Sequence, residues 1–343
     1  MLCLPLQDSS GAVFAVTQLL NRRDGRPARA MIGSLGNSVR LLQVTDPHLF
    51  GDEARKIYGV TTAVSLRRVL AGAFAPGTPR PAAILVTGDI ADDHSAAAYD
   101  NFRRVLRPYG LPVFCLPGNH DEPGLMVDLV GGDGFQYGGT AEFGAWGAVF
   151  IDTHVHGRPE GRVESKELLR LESALQAFGD RPLLVCLHHP PLPVGSTWLD
   201  GVGLRNACEL LAVIERYPTV RAVLGGHVHQ AFERRHGHTL VLATPSTCAQ
   251  FTPRTEHCVM DLRPPGHPDA RPHGLHRAGR ESPLNALLHI VMRRKSAFQR
   301  CMSTARCSCA RLSTTREGLS MGPRIARSRR RNRSAQCPLA HRL

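Results

Sequence analysis

Clear patterning starts at Val39 and runs to about Leu262. Across this stretch short apolar runs of strand length alternate with segments of helical period. Residues 39–44 (VRLLQV) read as a buried strand, and 62–74 as a helix with Val64, Leu66, Val69 and Leu70 at its apolar positions. Residues 83–87 are a second strand, and 96–106 a helix with Tyr99, Phe102, Val105 and Leu106 on one stripe. Strands at 113–116 and 148–152 follow. The next helix, 166–178, places Leu168, Leu169, Leu171, Leu175 and Phe178 at apolar positions. Strands at 183–187 and 220–224 flank a helix at 205–217, and the runs 239–244 and 258–262 are expected to close the sheets. Strands alternating with helices predict an α/β fold whose sheets are covered by helices. No internal repeat is present, and no apolar run approaches the roughly 18 residues that span a bilayer.

The two ends read differently. Residues 1–38 lack sustained periodicity and carry the breakers Asp24-Gly25-Arg26-Pro27, so they read as an N-terminal extension, with Met31 as an alternative start. Residues 1–6 have no basic n-region and 11–20 no convincing apolar core for a leader, so the expected location is the cytoplasm. Beyond Leu262 Arg, Pro, Ser and Gly dominate, and 328–333 reads SRRRNR. A segment of this composition buries too little apolar surface to offset its ordering entropy, so 263–343 is expected to be a disordered Arg-rich tail with no face that packs on the core. The chain has three lysines (Lys56, Lys166, Lys295), its other basic residues being arginine, which is the mark of a GC-rich gene. A shifted frame in such a gene yields Arg-, Pro-, Ala- and Ser-heavy sequence, and the tail is read as such a product.

Charge changes the picture only by its location. The chain carries a net +13, but 263–343 holds 18 Lys+Arg against 3 Asp+Glu, leaving 1–262 at −2. The basicity belongs to the tail and says nothing about what the main domain binds. The 10 cysteines are scattered: Cys115 and Cys186 lie in apolar runs, and Cys307 and Cys309 have no matching second pair, so no zinc knot is expected.

The candidate chemistry sits just after the predicted strands, where open α/β sheets place ligands. Five clusters stand there: Asp46-Pro47-His48, Gly88-Asp89, Gly118-Asn119-His120-Asp121, His188-His189-Pro190 and Gly226-His227-Val228-His229. In an extended segment residues i and i+2 point the same way, so Asp46 with His48, and His227 with His229, are each expected to address one centre. Imidazole, carboxylate and one amide oxygen, with no thiolate, suit Fe, Mn or Zn rather than a Ca²⁺ cage. The donors are too many for one ion and enough for two that share a carboxylate. Each cluster alone is weak, since an isolated D-x-H or H-x-H is more often a loop feature than a ligand pair. All five in one order are specific. Asp92, Asp93 and His94, close behind Asp89, read first as an exposed acidic loop, with one of the aspartates orienting a catalytic histidine as the alternative.

The order D-x-H, G-D, G-N-H-D, H-x-P, G-H-x-H resembles the calcineurin-like metallophosphoesterases. The segments LLQVTDPHLF, VTGDIADD, LPGNHD, LHHPPLPVGSTWLD, LRNACEL, GGHVHQ and LATPSTCAQF are similar to the bacterial class III 3′,5′-cyclic-AMP phosphodiesterases, over residues 39–262. The resemblance implies a four-layer αββα sandwich with two facing sheets. It implies two divalent metal ions, Fe²⁺ or Mn²⁺ ahead of Zn²⁺, one held by Asp46, His48, Asp89 and His229 and the other by Asp89, Asn119, His188 and His227. His188 is preferred to His189 as the first histidine of H-x-P, and His120 would be a non-ligand acid beside the leaving group. A metal-bridging hydroxide would then open a 3′,5′-cyclic nucleotide, cyclic AMP first, to the 5′-monophosphate, with Asn119 helping to stabilise charge on phosphorus. Trp198, Asp200, Arg205 and Thr244 match the cyclic-nucleotide branch and are the candidate substrate-binding residues. Two other readings remain: a broader phosphodiesterase for glycerophosphodiesters or similar small diesters, and nucleic-acid binding through the tail. No membrane partner and no specific nucleic-acid partner are expected.

Overall fold

Along residues 83–86 successive side chains face opposite ways. Ala83 and Leu85 enter one apolar cluster, and Ile84 and Val86 enter another. Such a strand is covered on both sides, and its neighbours repeat the pattern. The computed structural model of the 343-residue chain describes residues 38–261 together with the strand segments 4–7, 13–18 and 288–293.

Near the start come β1 (Leu4–Gln7), β2 (Val13–Gln18) and β3 (Ser38–Val44), then the short β4 (Lys56–Ile57) and β5 (Val60–Thr61). The next elements are α1 (Thr62–Ala73), β6 (Ala83–Val86), α2 (Ala96–Leu106), β7 (Val113–Cys115), α3 (Pro123–Leu129) and β8 (Phe135–Tyr137). The second half holds β9 (Gly139–Phe143), β10 (Trp146–Phe150), α4 (Ser165–Phe178), β11 (Leu183–Cys186), α5 (Thr197–Asp200) and α6 (Ala207–Glu215). It ends with β12 (Val220–Gly225), β13 (Phe232–His236), β14 (Thr239–Ala243), β15 (Gln250–Phe251), β16 (Met260–Asp261) and β17 (Leu288–Arg293).

One sheet has the order β1-β2-β17-β3-β6-β7-β8 and the other β13-β14-β12-β11-β10-β9. Strands β3, β6, β7 and β8 run parallel, as do β10, β11, β12 and β14. Leu41, Ala83 and Leu85 from the first sheet meet Phe150, Leu184, Cys186, Leu224 and Leu242 from the second in a shared inner core. The outer face of the first sheet buries Leu42, Val44, Ile84 and Val86 under α1 and α2, through Leu66, Leu70, Tyr99 and Phe102. The outer face of the second buries Val185 and Val223 under α4 and α6, through Leu171, Leu175, Leu210 and Ile214. The result is the four-layer αββα sandwich. Its helices are set by ordinary local signals: α2, for instance, begins where the Ser95 side chain accepts the Ala98 N–H at 3.1 Å.

Several expectations need correction. Val64 and Leu169 face solvent, 51% and 67% exposed, because each lies off the helix stripe that its neighbours bury. The helix expected at 205–217 is shorter, Ala207–Glu215. The run 258–262 does not close a sheet; β16 pairs with β15 in a separate two-stranded ribbon. Strands β8, β9 and β13 were not expected. Edge strands β9 and β13 alternate or expose polar residues, so they carry no apolar run. The expected disorder of 263–343 falls mostly outside the described residues, but Leu288–Arg293 within it is a strand. It pairs antiparallel with β3 over six residues and with β2 over four. Averaging composition over 81 residues hid the local run LHIVM, which has the β-branched, apolar character of a strand. All described residues belong to one compact unit.

Candidate metal centre

The parallel strands of both sheets end at one edge, and their following loops meet there. The loops after β3 and β6 are joined by backbone hydrogen bonds: Asp46 N–H to Gly88 O at 3.0 Å, His48 N–H to Asp89 O at 3.0 Å and Leu49 N–H to Ile90 O at 2.8 Å. This brings Asp46, His48 and Asp89 together. The extended-chain argument for the D-x-H and H-x-H pairs is wrong in detail. Asp46, His48, Asp89, His227 and His229 all have left-handed backbone, with φ of 51°, 46°, 53°, 66° and 47°. Tight turns bring Asp46 and His48 to one group of donors but split His227 and His229 between two, at a cost that non-glycine residues rarely meet outside functional sites. Gly118 permits the closest approach: a Cβ there would lie 2.1 Å from Asp89 Oδ1.

Two groups of donors result. In the first, His48 Nε2 lies 3.1 Å from His229 Nε2, His229 Nε2 3.4 Å from Asp46 Oδ1, and His48 Nε2 3.7 Å from Asp89 Oδ2. In the second, Asn119 Oδ1 lies 3.1 Å from His188 Nε2 and 2.9 Å from His227 Nδ1, and His188 Nε2 lies 3.3 Å from Asp89 Oδ2. Asp89 Oδ2 therefore faces both groups. All seven side chains except Asn119 are at least nine-tenths buried.

The hydrogen bonds behind the donors test whether cations fit. His229 Nδ1 faces the Ala249 carbonyl at 2.8 Å and His48 Nδ1 the Asp92 carboxylate at 3.0 Å, so each donates from Nδ1 and turns Nε2 toward the centre. The two Nε2 atoms face each other at 3.1 Å, a separation that a shared proton or a cation held by both accommodates. His188 Nδ1 likewise faces the Thr87 carbonyl at 2.8 Å and turns Nε2 inward. The donors are hard or borderline, and their backing partners fix the tautomers as in metal sites generally. The residues fit divalent metal ions.

The electrostatics agree. Burial works against the Asp89 carboxylate, yet His188, His120 and His48 hold it well below the usual carboxylate range. Burial also disfavours a charged His188, but Asp89 and Asp46 outweigh it and push its pKa up to about 9. His227 goes the other way, down to about 3, through burial and the neighbouring His188. The pocket thus asks for positive charge at its centre.

His189 stands apart. Its Nδ1 meets Thr153 Oγ1 at 2.8 Å and its Nε2 the Pro159 carbonyl at 3.1 Å, so both nitrogens are committed. His120 belongs to neither donor group as assigned; its Nδ1 lies 3.1 Å from Asp92 Oδ1. Burial opposes its charged form, but Asp89, Asp92 and Asp121 hold its pKa above the ordinary value.

For Asp92 the structure favours the histidine-orienting alternative over the exposed loop. It is no simple exposed acid, since one oxygen, Oδ1, serves both His48 and His120. The signal was its place three residues after Asp89, one turn of loop away from the centre. Asp121 was not given a role: its carboxylate accepts the Ile90, Ala91 and Gly118 N–H groups and the Tyr99 hydroxyl, tying the loops after β6 and β7 together. Phe251 stacks on the His229 ring, centroids 4.5 Å apart, and Trp198 meets Phe251 edge-on at 4.9 Å. Of the other candidate substrate residues, Thr244 is buried beside this cluster's strand end. Asp200 accepts the Val194 and Gly195 N–H groups, and Arg205 pairs with Glu160 at 2.7 Å, so both are occupied within the protein.

The fold and the centre define a metal-dependent phosphoesterase. The chain belongs to the calcineurin-like phosphoesterase family, whose sequence profile matches residues 39–231. It is 38% identical over 230 residues to the 3′,5′-cyclic adenosine monophosphate phosphodiesterase CpdA of Pseudomonas aeruginosa, covering 67% of this chain and 84% of that protein. It is 33% identical over 228 residues to the 3′,5′-cyclic-nucleotide phosphodiesterase alr5338 of Nostoc, covering 66% of this chain and 85% of that protein. A dimetal phosphatase from Danio rerio shares the fold at a TM-score of 0.51 and 14% identity, over 61% of this chain and 88% of that one. Among the described residues no helix is long and apolar enough to cross a membrane.

Proposed function

We propose that this chain hydrolyses 3′,5′-cyclic nucleotides, cyclic AMP foremost, to nucleoside 5′-monophosphates. The observation that carries the reading is the joint one: a buried Asp/His/Asn centre with a shared Asp89, in a chain 38% identical to a cyclic-AMP phosphodiesterase over 84% of that protein. Asp46, His48, Asp89 and His229 would hold one divalent ion, and Asp89, Asn119, His188 and His227 the other. Fe²⁺ or Mn²⁺ suits this imidazole–carboxylate set, with Zn²⁺ as the alternative. Such ions, when bound, acidify water and neutralise charge on a phosphoryl group.

The protein's own groups do the rest. Asp92 holds the His120 ring through Nδ1, which leaves Nε2 as the nitrogen able to give a proton to the departing 3′ oxygen. Asp121 fixes the Gly118 turn on which Asn119 and His120 stand. Trp198 and Thr244 serve as candidate walls for the nucleoside, Trp198 through its contact with Phe251. Cys115, Cys186 and Cys248 are buried unpaired thiols, in keeping with a cytoplasmic enzyme.

The test is a substrate panel with full-length protein and Mn²⁺ or Fe²⁺: cyclic AMP, cyclic GMP, a 2′,3′-cyclic nucleotide and glycerophosphocholine. The reading expects the highest kcat/KM on a 3′,5′-cyclic nucleotide. A preference for glycerophosphocholine would replace it with the broader phosphodiesterase.

A further inference from the structure

The loop after β10 ends at the same edge as the loops that build the metal centre, yet no role has been assigned to it. It reads Thr153-His154-Val155-His156. Strand β10 lies beside β11, whose loop carries His188, and across the inner core from β7, whose loop carries Asn119 and His120. The Phe114 and Phe150 rings stack between the two strands at 5.5 Å and 11°. The loop is firmly held. Asp152 N–H donates to Glu167 Oε1 at 2.9 Å, His154 N–H to Asp152 Oδ1 at 2.7 Å, and Arg162 N–H to the Thr153 carbonyl at 3.0 Å. Thr153 Oγ1 reaches His189, whose ring packs 4.8 Å from that of His188.

His154 is half-buried in this rigid loop. No hydrogen bond among the described residues uses its ring, whose one ring contact is with His156 at 6.4 Å. It stands within electrostatic reach of Glu122, Asp89 and His188. It is not in any of the groups whose metal-ligating atoms approach within 4.8 Å of one another. His154 is therefore placed one layer outside the donors. An ester arm that leaves the donors on the His188 side meets that layer.

We propose that His154 is a specificity-determining residue that hydrogen-bonds the nucleoside arm of the substrate, at a sugar hydroxyl or base edge, rather than the phosphoryl group. This rests on the cyclic-nucleotide reading above. The protonation state supports an uncharged partner: burial first, and the neighbouring His156 and His188, hold its pKa below the ordinary histidine value despite Glu122 and Asp89. A neutral imidazole offers one donor and one acceptor, which suits a hydroxyl or a heterocycle edge better than an anion. A pre-held loop also spares the cost of ordering the group on binding.

The test compares His154→Ala and His154→Gln with the parent on two substrates, cyclic AMP and bis(p-nitrophenyl) phosphate, which has no nucleoside. Metal content is measured alongside, together with the affinity for a slowly hydrolysed phosphorothioate analogue of cyclic AMP. The expected result is a KM for cyclic AMP and a Kd for the analogue each raised about tenfold in the Ala variant, the loss of one hydrogen bond. Glutamine, which keeps a donor and an acceptor, should restore part of it. Turnover of bis(p-nitrophenyl) phosphate and metal content should stay unchanged. Equal losses on both substrates, loss of metal, or an unchanged KM and Kd for cyclic AMP would each overturn the proposal. A parent protein that hydrolyses bis(p-nitrophenyl) phosphate but no cyclic nucleotide would instead overturn the functional reading beneath it.

Discussion

Gly118 offers the sharpest test of how the centre is built. A methyl group at this position would lie 2.1 Å from Asp89 Oδ1, 2.4 Å from Asp89 N and 2.7 Å from Asp89 Cγ. Two of these atoms belong to a carboxylate that is itself pinned, because Oδ1 accepts the His120 N–H at 2.9 Å. The third is backbone. No side-chain rotation relieves the contact with Asp89 N, so Gly118→Ala must push the loops after β6 and β7 apart by at least about 1 Å. Overpacking of this kind costs about 1–3 kcal/mol. The same shift weakens the His120 bond to Asp89 and the Gly118 N–H bond to Asp121 Oδ2 at 2.9 Å. Hydrogen bonds to charged groups contribute about 1.5–3 kcal/mol each; with about half of each lost, the total including overpacking falls near 3–6 kcal/mol. In urea, with a slope of about 2 kcal/mol per molar, the midpoint should drop by about 2 M. Any protein that remains folded should lose about 10²-fold in rate through misplacement of Asn119 and His120. Gly124→Ala is the control: its methyl would meet only Glu122 Oε1 at 3.6 Å, inside α3. There alanine should be neutral or stabilising by up to about 1 kcal/mol. If Gly118→Ala matched the parent in both midpoint and rate, the loops would not pack as described and the shared-Asp89 geometry would fall with them.

Two further outcomes follow from particular contacts. Asp92→Asn removes one of the carboxylates that hold His120 above its ordinary pKa. His120 acts in its protonated form, so the alkaline limb of the kcat profile should move to lower pH, by about one to two units for a charged hydrogen bond of about 1.5–3 kcal/mol; an unmoved limb with intact metal content would separate Asp92 from His120. Truncation after Arg294 removes 12 Lys+Arg and one acidic residue, and should leave hydrolysis intact while weakening salt-sensitive binding to DNA. Truncation after Pro265 also removes β17 and bares the β3 edge, so it should give aggregation or a lowered melting temperature. Equal stability of the two truncations would show that β17 does not support the sheet.

The buried strands were legible because they are covered on both faces. LLVC and AVLG leave no polar alternation to misread, and each ends in the residues that carry chemistry. The clusters were legible for a related reason: glycine, proline and paired imidazoles at strand ends have few structural uses in combination. What escaped has physical causes. Edge strand β13 buries little, and its sequence FERRH says only that. Asp92 depends on two histidines 44 and 28 positions away in the chain, and its neighbours Asp93 and His94 gave it the look of a solvated loop. The left-handed turns at Asp46, His48, His227 and His229 leave no trace in residue type, since aspartate and histidine tolerate that conformation without requiring it. Strand β17 was lost to averaging, because charge and breakers around LHIVM set the composition of the whole segment.

Those left-handed residues carry a further consequence for metal removal. Five non-glycine ligand candidates share φ between 46° and 66°. At about 1–2 kcal/mol each, the centre stores about 5–10 kcal/mol of backbone strain, comparable with the stability of a whole domain. Part is offset within the chain, by the Asp46 N–H bond to Gly88 O and the His227 N–H bond to Asp46 Oδ1, each 3.0 Å. Cations would stabilise the folded state through ligand linkage, since they bind a site the unfolded chain does not have. At a free metal concentration 100 times Kd the linkage alone is about 2.7 kcal/mol, and for a domain of this size that corresponds to a melting shift of about 5–10 °C. Dialysis against a chelator should lower the melting temperature by at least that much, and Mn²⁺ should restore it. His229→Ala removes one of the two facing rings and deletes a donor. It should narrow the gap between chelated and metal-loaded protein, chiefly by losing stability in the loaded form. If chelated and loaded parent proteins melted together, the strain at these turns would be supported by the surrounding fold alone, and the centre would be a rigid cradle that metal merely fills.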